Sequence, residues 1–398
     1  MQKNENKKII IFNVGSSSCK FHFFSKELDL LGKGLIEKIG IPGTLIKFED
    51  AKGNKIEELK DFKFESLDTE LVEFLEEREI LKFEDVYLMA HRVVNGGSVF
   101  TNNLIVDSDE IMDKLISLNH LAPLHNTFNN SLLKRMRDKY PKCVQVAVFD
   151  TAFHSTIPEI NYTYAIPEKF KVENQIRKYG AHGSSHGYIT EIMEEHLGKK
   201  VNIINAHLGN GSSLCVTNQS KSINTSMGFT PLDGLMMGTR SGAIDPSVVL
   251  TMIQNLGLSA EEVNTILNKK SGLLGVSGVS SDMREVGKAA DSGNERAKFA
   301  LDLYAKRVSD YISMYLSEVD SIDAITFTGG IGENAKDFRV QILENIKQLN
   351  IKIDENATTK GKVSLISKSD SDIPVYVVPT NEELYMAKIA KRLNKEEV

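Results

Sequence analysis

Apolar residues at 7–13 and again at 21–24 read as two buried strands, separated by the polar turn Gly15-Ser16-Ser17-Ser18-Cys19-Lys20. Residues 48–56 have the pattern of a further hairpin, turning at Gly53-Asn54. Leu71, Phe74 and Leu75 fall on one face at helical spacing, which predicts a helix over 67–79. A short strand over 86–90 then delivers His91, Arg92 and the pair Gly96-Gly97. Helices are expected over 111–118 and 131–137, and a strand over 143–149 runs into Asp150.

The second half opens in the same way. A strand over 201–206 meets the turn Gly209-Asn210-Gly211, and a strand-like run leaves it over 213–217. Residues 280–285 open a helix, with a serine available as its N-cap. A strand over 324–328 enters the glycine-rich loop 329–334, and helix-forming residues return over 338–349. After a last strand over 375–378, Thr380 and Glu383 fit a capping box for the terminal helix, which leaves Glu382 free for other work. Hairpins followed by alternating strands and helices predict an α/β protein with a mixed sheet in each half, and an active cleft between the two domains.

Bulk composition narrows the class. A chain of 398 residues exceeds one ordinary core. With 41% hydrophobic and 26% charged residues it is globular, and a net charge of −6 argues against a nucleic-acid partner. Three widely spaced cysteines, Cys19, Cys143 and Cys215, suit free thiols in a reducing cytoplasm and give no zinc pattern. No run approaches the roughly 18 apolar residues of a membrane span.

Several segments are candidates for anion chemistry. Gly209-Asn210-Gly211 reads either as an ordinary hairpin turn or as a backbone cradle for phosphate. It is not a Rossmann fingerprint, because Leu214 stands at the third glycine and no helix follows. The Gly15–Lys20 turn lacks the two glycines and the Lys-Ser/Thr ending of a Walker loop, yet its hydroxyls, Asn13 and Lys20 suit a terminal phosphate. Arg92 reads as an anion clamp or a surface ion pair. Asp150 stands at a strand's carboxyl end, where α/β proteins place ligands, although a turn role is an equal reading. His182 and His186 are four apart, but the glycine beside His182 and the lack of a third ligand argue against metal.

Ten segments together carry a resemblance. These are residues 13–18 (NVGSSS), 91–94 (HRVV), 123–126 (PLHN), 149–154 (FDTAFH), 182–186 (HGSSH), 207–211 (HLGNG), 237–242 (MGTRSG), 281–284 (SDMR), 329–334 (GGIGEN) and 380–383 (TNEE). In this order they resemble the acetate kinase family, of the acetate and sugar kinase/heat-shock chaperone/actin superfamily. The resemblance implies two ribonuclease H-like domains: residues 1–150 joined by the terminal helix 382–398, and a nucleotide-binding domain over 151–381. It implies a cytoplasmic homodimer that transfers phosphoryl directly from ATP to a short carboxylate, reversibly, with Mg²⁺ or Mn²⁺.

Carried over residue by residue, Asn13 and Glu382 are implied on the metal side, and Ser16, Ser18 and Lys20 on the phosphates. His207, Leu208, Gly209, Asn210, Gly211, Asp282, Met283, Arg284, Gly330, Ile331, Gly332, Glu333 and Asn334 are implied to hold the nucleotide. Arg92 and Arg240 would flank the carboxylate and the moving phosphoryl, with His182 on its oxygens, His125 nearby and Asp150 as the essential carboxylate. The acceptor is already an anion near neutral pH, so orientation or metal-water anchoring suits Asp150 better than general-base work. The acyl pocket is implied at Val94, Leu124, Ala181 and Pro231. The chain departs from the family at Cys19, Asn95, Thr127 and Ala181, where Leu, His, Pro and Phe are usual. Ala181 opens room for a longer acid, propionate or butyrate, unless a neighbour moves in. A non-catalytic nucleotide-switched binding protein is the rival class, and it would have no use for Arg92, His182 and Arg240.

Overall fold

The computed structural model describes residues 7–123, 125–359 and 363–396. They divide into two compact units, Met1–Ala152 with Asn381–Val398, and Phe153–Thr380.

The first unit is built on β1 (Lys8–Val14), β2 (Ser18–Ser25), β3 (Leu30–Glu37), β4 (Leu45–Asp50), β5 (Lys55–Leu59), β6 (Val86–Val93), β7 (Leu104–Ile105) and β8 (Val144–Phe149). Their order is β5-β4-β3-β2-β1-β6-β8-β7. β1 runs antiparallel to β2 and parallel to β6, and β6 runs parallel to β8. Ile9, Ile10 and Ile11 on β1 are all fully buried, because both sheet faces are covered. Ile10 and Phe12 pack with Leu71 of helix Leu67–Glu77 and Leu132 of helix Asn126–Lys139. Ile9 and Ile11 pack with Met386 and Ala390 of the terminal helix Glu382–Glu396.

The second unit contains β9 (Ile203–Leu208), β10 (Ser212–Asn218), β11 (Lys221–Thr225), β12 (Ala324–Thr328), β13 (Ser364–Leu365) and β14 (Val375–Val377), in the order β11-β10-β9-β12-β14-β13. β9 is antiparallel to β10 and parallel to β12, which is parallel to β14. Helix Glu295–Tyr315 sets Tyr304 and Ile312 into the cluster of Ile204 and Phe327. Helix Gly183–Leu197 sets Ile189 and Met193 into that of Ile203 and Ala324.

The series β3-β2-β1-β6-β8 and β11-β10-β9-β12-β14 are therefore the same mixed order built twice, as the ribonuclease H-like expectation requires. Its consequence is local. β1, β6 and β8 end side by side, so Asn13, Arg92 and Asp150 reach one edge of their sheet.

Four local expectations are corrected. β6 continues to Val93, three residues beyond the expected end, because the ladder persists through Phe12↔His91 and Val93↔Phe149. The glycine-rich stretch is a short helix, Gly329–Asn334, and not a loop. Asp282, not a serine, caps the helix Met283–Asp291 by accepting from Arg284 N–H. Thr380 and Glu383 form no capping box. Asn381 Oδ1 accepts from Leu384 N–H at 3.0 Å, and amide and carboxylate caps of this kind outrank threonine. The cysteines Cys19, Cys143 and Cys215 are free and buried. Among the described residues no helix is long and apolar enough to cross a membrane.

One buried histidine makes stability depend on acid. His91, 1% exposed, meets Gln145 Oε1 through Nε2 at 2.9 Å, and burial pushes it down to about 4. Between its ordinary value of 6.5 and that value the unfolded chain binds a proton that the folded chain refuses. Stability present above pH 6.5 is thus lost as pH falls toward 4, by an amount on the order of 3 kcal/mol. His91→Gln should flatten this part of the urea-stability profile, and an unchanged acid slope would contradict the assignment.

Candidate active site

In the first unit the site is organised by one guanidinium. Arg92 Nε donates to Asp150 Oδ1 at 2.9 Å and Nη2 to Oδ2 at 2.5 Å, a bidentate pair, while Nη1 reaches Asn13 Oδ1 at 3.0 Å. Asp150 is 1% exposed. Burial works against the charge on Arg92, yet the Asp150 carboxylate outweighs it and holds the guanidinium above its ordinary value. The two carboxylates that open the terminal helix behave differently. Burial, Glu383 and Asp150 push Glu382 up to about 7 against the pull of Arg92. Glu383 is also buried, but Lys20 Nζ at 3.4 Å and the His22 ring keep it below the usual carboxylate range.

Asn13 and Glu382 offer amide and carboxylate oxygens, which are donors suited to a hard cation such as Mg²⁺. Burial and the neighbouring carboxylates raise Glu382, and a divalent charge beside it would act in the opposite direction. Among the described residues no group of three His, Cys, Asp or Glu side chains forms a metal cage.

In the second unit a chain of hydrogen bonds orders the histidines. Asn205 Nδ2 donates to His186 Nδ1 at 2.8 Å, so His186 Nε2–H donates to Ser213 Oγ at 2.8 Å. The Ser213 hydroxyl is then left to donate to His182 Nδ1 at 2.9 Å. That order places the proton of His182 on Nε2. His182 itself has a left-handed backbone, φ +57°, which is unusual for a side chain of this size. Its backbone neighbour is held by His154, whose Nε2 donates to Ala181 O at 2.9 Å. His207 lies 4.5 Å from the His182 ring, centroid to centroid, and is fixed by Ser185 Oγ at 2.8 Å.

Arg240 converges on the same turn. A Cβ built on Gly211 would stand 3.4 Å from His182 Nε2 and 3.6 Å from Arg240 Nη1. Arg240 Nη1 also donates to Pro231 O at 3.0 Å and to Met237 Sδ at 3.5 Å. Met237, Met227 and Ala181 pack together in one buried cluster. Both methionines therefore pack against the methyl group of Ala181. Gly238 lets the Asn210 side chain lie close, since a Cβ there would meet Asn210 Oδ1 at 1.9 Å and displace it.

Beside that turn lies a cavity of about 720 Å³, lined by Gly209, Asn210, Asp282, Met283, Arg284, Gly330, Ile331 and Asn334, together with Ser281 and Ala335. His207, Leu208, Gly211, Gly332 and Glu333 are expected nucleotide residues that do not line it. The Glu333 carboxylate is already engaged, its Oε1 accepting from Gly329 N–H at 3.0 Å and Thr380 N–H at 3.2 Å. Ser16, Ser18 and Lys20 belong to the first unit, as do His125 and the buried Val94. His125 is exposed at the start of helix Asn126–Lys139. Leu124 lies outside the described residues. The roles of Asn205, Ser213, Ser185 and His154 were missed, and only His154 and Ser185, inside the 149–154 and 182–186 segments, had any sequence signal.

Comparison with known proteins bears on the family and the fold. Residues 8–388 match the profile of the Acetokinase family. The chain is 44% identical over 396 residues to an acetate kinase of Clostridium botulinum (strain 657 / Type Ba4), covering 97% of this chain and 99% of the relative. A propionate kinase structure from Francisella tularensis subsp. tularensis SCHU S4 superposes with a TM-score of 0.92 at 39% identity, covering 97% of this chain and 100% of that one. An acetate kinase structure from Porphyromonas gingivalis gives 0.89 at 37% identity, covering 98% and 100%.

The Arg92–Asp150 pair should behave as a coupled unit in unfolding. Asp150→Ala strands a largely buried guanidinium and is expected to cost about 3–5 kcal/mol. Arg92→Ala strands the carboxylate at a similar cost, and the double variant should lose clearly less than the sum. Additive losses in urea titrations would show that the pair is not coupled.

Proposed function

This chain belongs to the acetokinase family, and we propose that it transfers the γ-phosphoryl group of ATP to acetate, reversibly, giving acetyl phosphate and ADP. The observation that carries the reading is the approach of His182 Nε2 and Arg240 Nη1 to Gly211, beside the cavity at Gly209 and Asn210. An adenosine-sized cavity adjoining two charge-stabilising donors is the arrangement that phosphoryl transfer requires.

The transfer is direct and in line. A carboxylate oxygen forms a bond to the γ-phosphorus as the bond to the bridging oxygen of ADP breaks. No proton moves, because the acceptor is already an anion. Catalysis is then positioning and charge stabilisation. Arg240 and His182 serve the equatorial phosphoryl oxygens, Arg92 the carboxylate, and Asp150 orients Arg92 instead of acting as a base. His125 assists nearby. Gly209, Asn210, Asp282, Met283, Arg284, Gly330, Ile331 and Asn334 hold the nucleotide, with Ser16, Ser18 and Lys20 assigned to its phosphates. Mg²⁺, held at Asn13 and Glu382, would supply charge neutralisation on those phosphates.

The exposed helix Pro246–Gln254 buries none of its residues although it carries Val248, Leu250 and Ile253. We assign it to a homodimer contact in a cytoplasmic protein, because a second copy would cover these side chains. A monomeric sedimentation profile at micromolar concentration would contradict this.

Acid choice is set around Ala181. Acetate is the expected acceptor, and Met227 and Met237 are deformable enough to yield to one further methylene. ADP release with acetate, propionate and butyrate, with water as control, tests the activity itself. Propionate should carry a smaller kcat/KM penalty relative to acetate than it does in Ala181→Phe, since each buried CH₂ gains up to about 0.8 kcal/mol. Equal ratios in the two proteins would pass the limit on chain length to the methionines. His182→Ala and Arg240→Ala should each lower kcat by about 10²–10³ while leaving KM for ATP nearly unchanged. Near-normal turnover would remove that residue from the mechanism.

A further inference from the structure

The helix Gly183–Leu197 begins without a cap. His182 occupies the N-cap position, but its side chain makes no capping bond and is committed through Nδ1 to Ser213. The first amides with acceptors are those of Ser185 and His186, both donating to His182 O, at 3.0 and 2.9 Å. Among the described residues neither Gly183 N–H nor Ser184 N–H meets an acceptor, although both residues are buried. Buried amides of a first helical turn are nearly always paired with a side chain, water or ligand.

A second observation stands beside the first. Ser184 is 1% exposed and its Oγ has no hydrogen-bond partner. A helical Cα–Cβ bond tilts toward the helix N-terminus, so the Ser184 Cβ that carries the hydroxyl lies toward the same open amides. Its neighbour Ser185 is different, being paired with His207 Nδ1 at 2.8 Å and Thr380 Oγ1 at 3.0 Å. Three donors thus lack acceptors at the positive end of a helix dipole. They directly follow His182, whose Nε2–H and the Arg240 guanidinium both approach Gly211.

We propose that Gly183 N–H, Ser184 N–H and Ser184 Oγ–H form an oxyanion subsite for a phosphoryl group, with Ser184 as a further catalytic residue. The proposal rests on the phosphoryl-transfer reading above. A planar transferring phosphoryl group presents three equatorial oxygens, and His182 and Arg240 alone do not cover them all. A helix N-terminus supplies the missing donors already oriented, with no reorganisation cost during transfer.

Inorganic phosphate is the probe, titrated into the full-length protein by calorimetry without nucleotide. Ser184→Ala is expected to weaken phosphate binding about 5–10-fold and to lower kcat about 10–100-fold, with KM for ATP within about twofold. Ser184→Thr, which keeps the hydroxyl, should restore most of both. A merely structural serine would instead lower the melting temperature and shift all kinetic constants together. Unchanged phosphate affinity in Ser184→Ala overturns the subsite, whatever the turnover. If the wild type binds phosphate through Ser184 but phosphorylates no carboxylate, the subsite stands and the kinase reading fails. If the wild type is an active kinase and Ser184→Ala matches it, only the subsite fails.

Discussion

The charge balance of the first unit's site depends on the bidentate contact between Arg92 and Asp150. A guanidinium this deeply placed needs a carboxylate, and Asp150 is committed to it through both oxygens. The pair then fixes its surroundings. Asn13 is oriented by Nη1, and Glu382 is raised toward neutrality although a cation lies near, because burial and two other carboxylates prevail. Glu383 escapes the same fate through Lys20 and His22 on β2. Two adjacent glutamates on one helical turn are therefore shifted in opposite directions, one by burial and carboxylate neighbours and the other by Lys20 and His22.

The second unit solves a related problem without a carboxylate. Its histidine donors are ordered by neutral groups in series, Asn205 to His186 to Ser213 to His182. His186 is fully buried and held well below its ordinary value, chiefly by burial and then by His154 and His207. A neutral relay of this kind sets a tautomer and a direction without adding a fixed charge.

Much of this arrangement was legible in the sequence, and the limits follow from physics. Period-two and continuous apolar runs announced β1, β9 and β12, since burial on both faces leaves an unmistakable signature. The order of ten short segments pointed to the family and to Arg92, His182 and Arg240. Pairings distant along the chain were not legible. Nothing local says that Ser213 links two histidines 27 and 31 residues away, or that Glu333 turns its carboxylate to Thr380. The end of β6 was misplaced because strand length is decided by neighbouring strands. Ala181 was visible as a departure, but the two methionines beside it became apparent only in the packed cluster.

The left-handed backbone of His182 has a consequence for the chain's sequence history. A large side chain at φ +57° stores conformational energy on the order of 1 kcal/mol, which glycine or asparagine at that position would release. Drift toward greater robustness would therefore favour replacing this histidine, and under the role proposed for it only selection for turnover would retain it. In a copy of the gene freed from that selection, position 182 is among the first where a thermally hardier and chemically silent protein would arise.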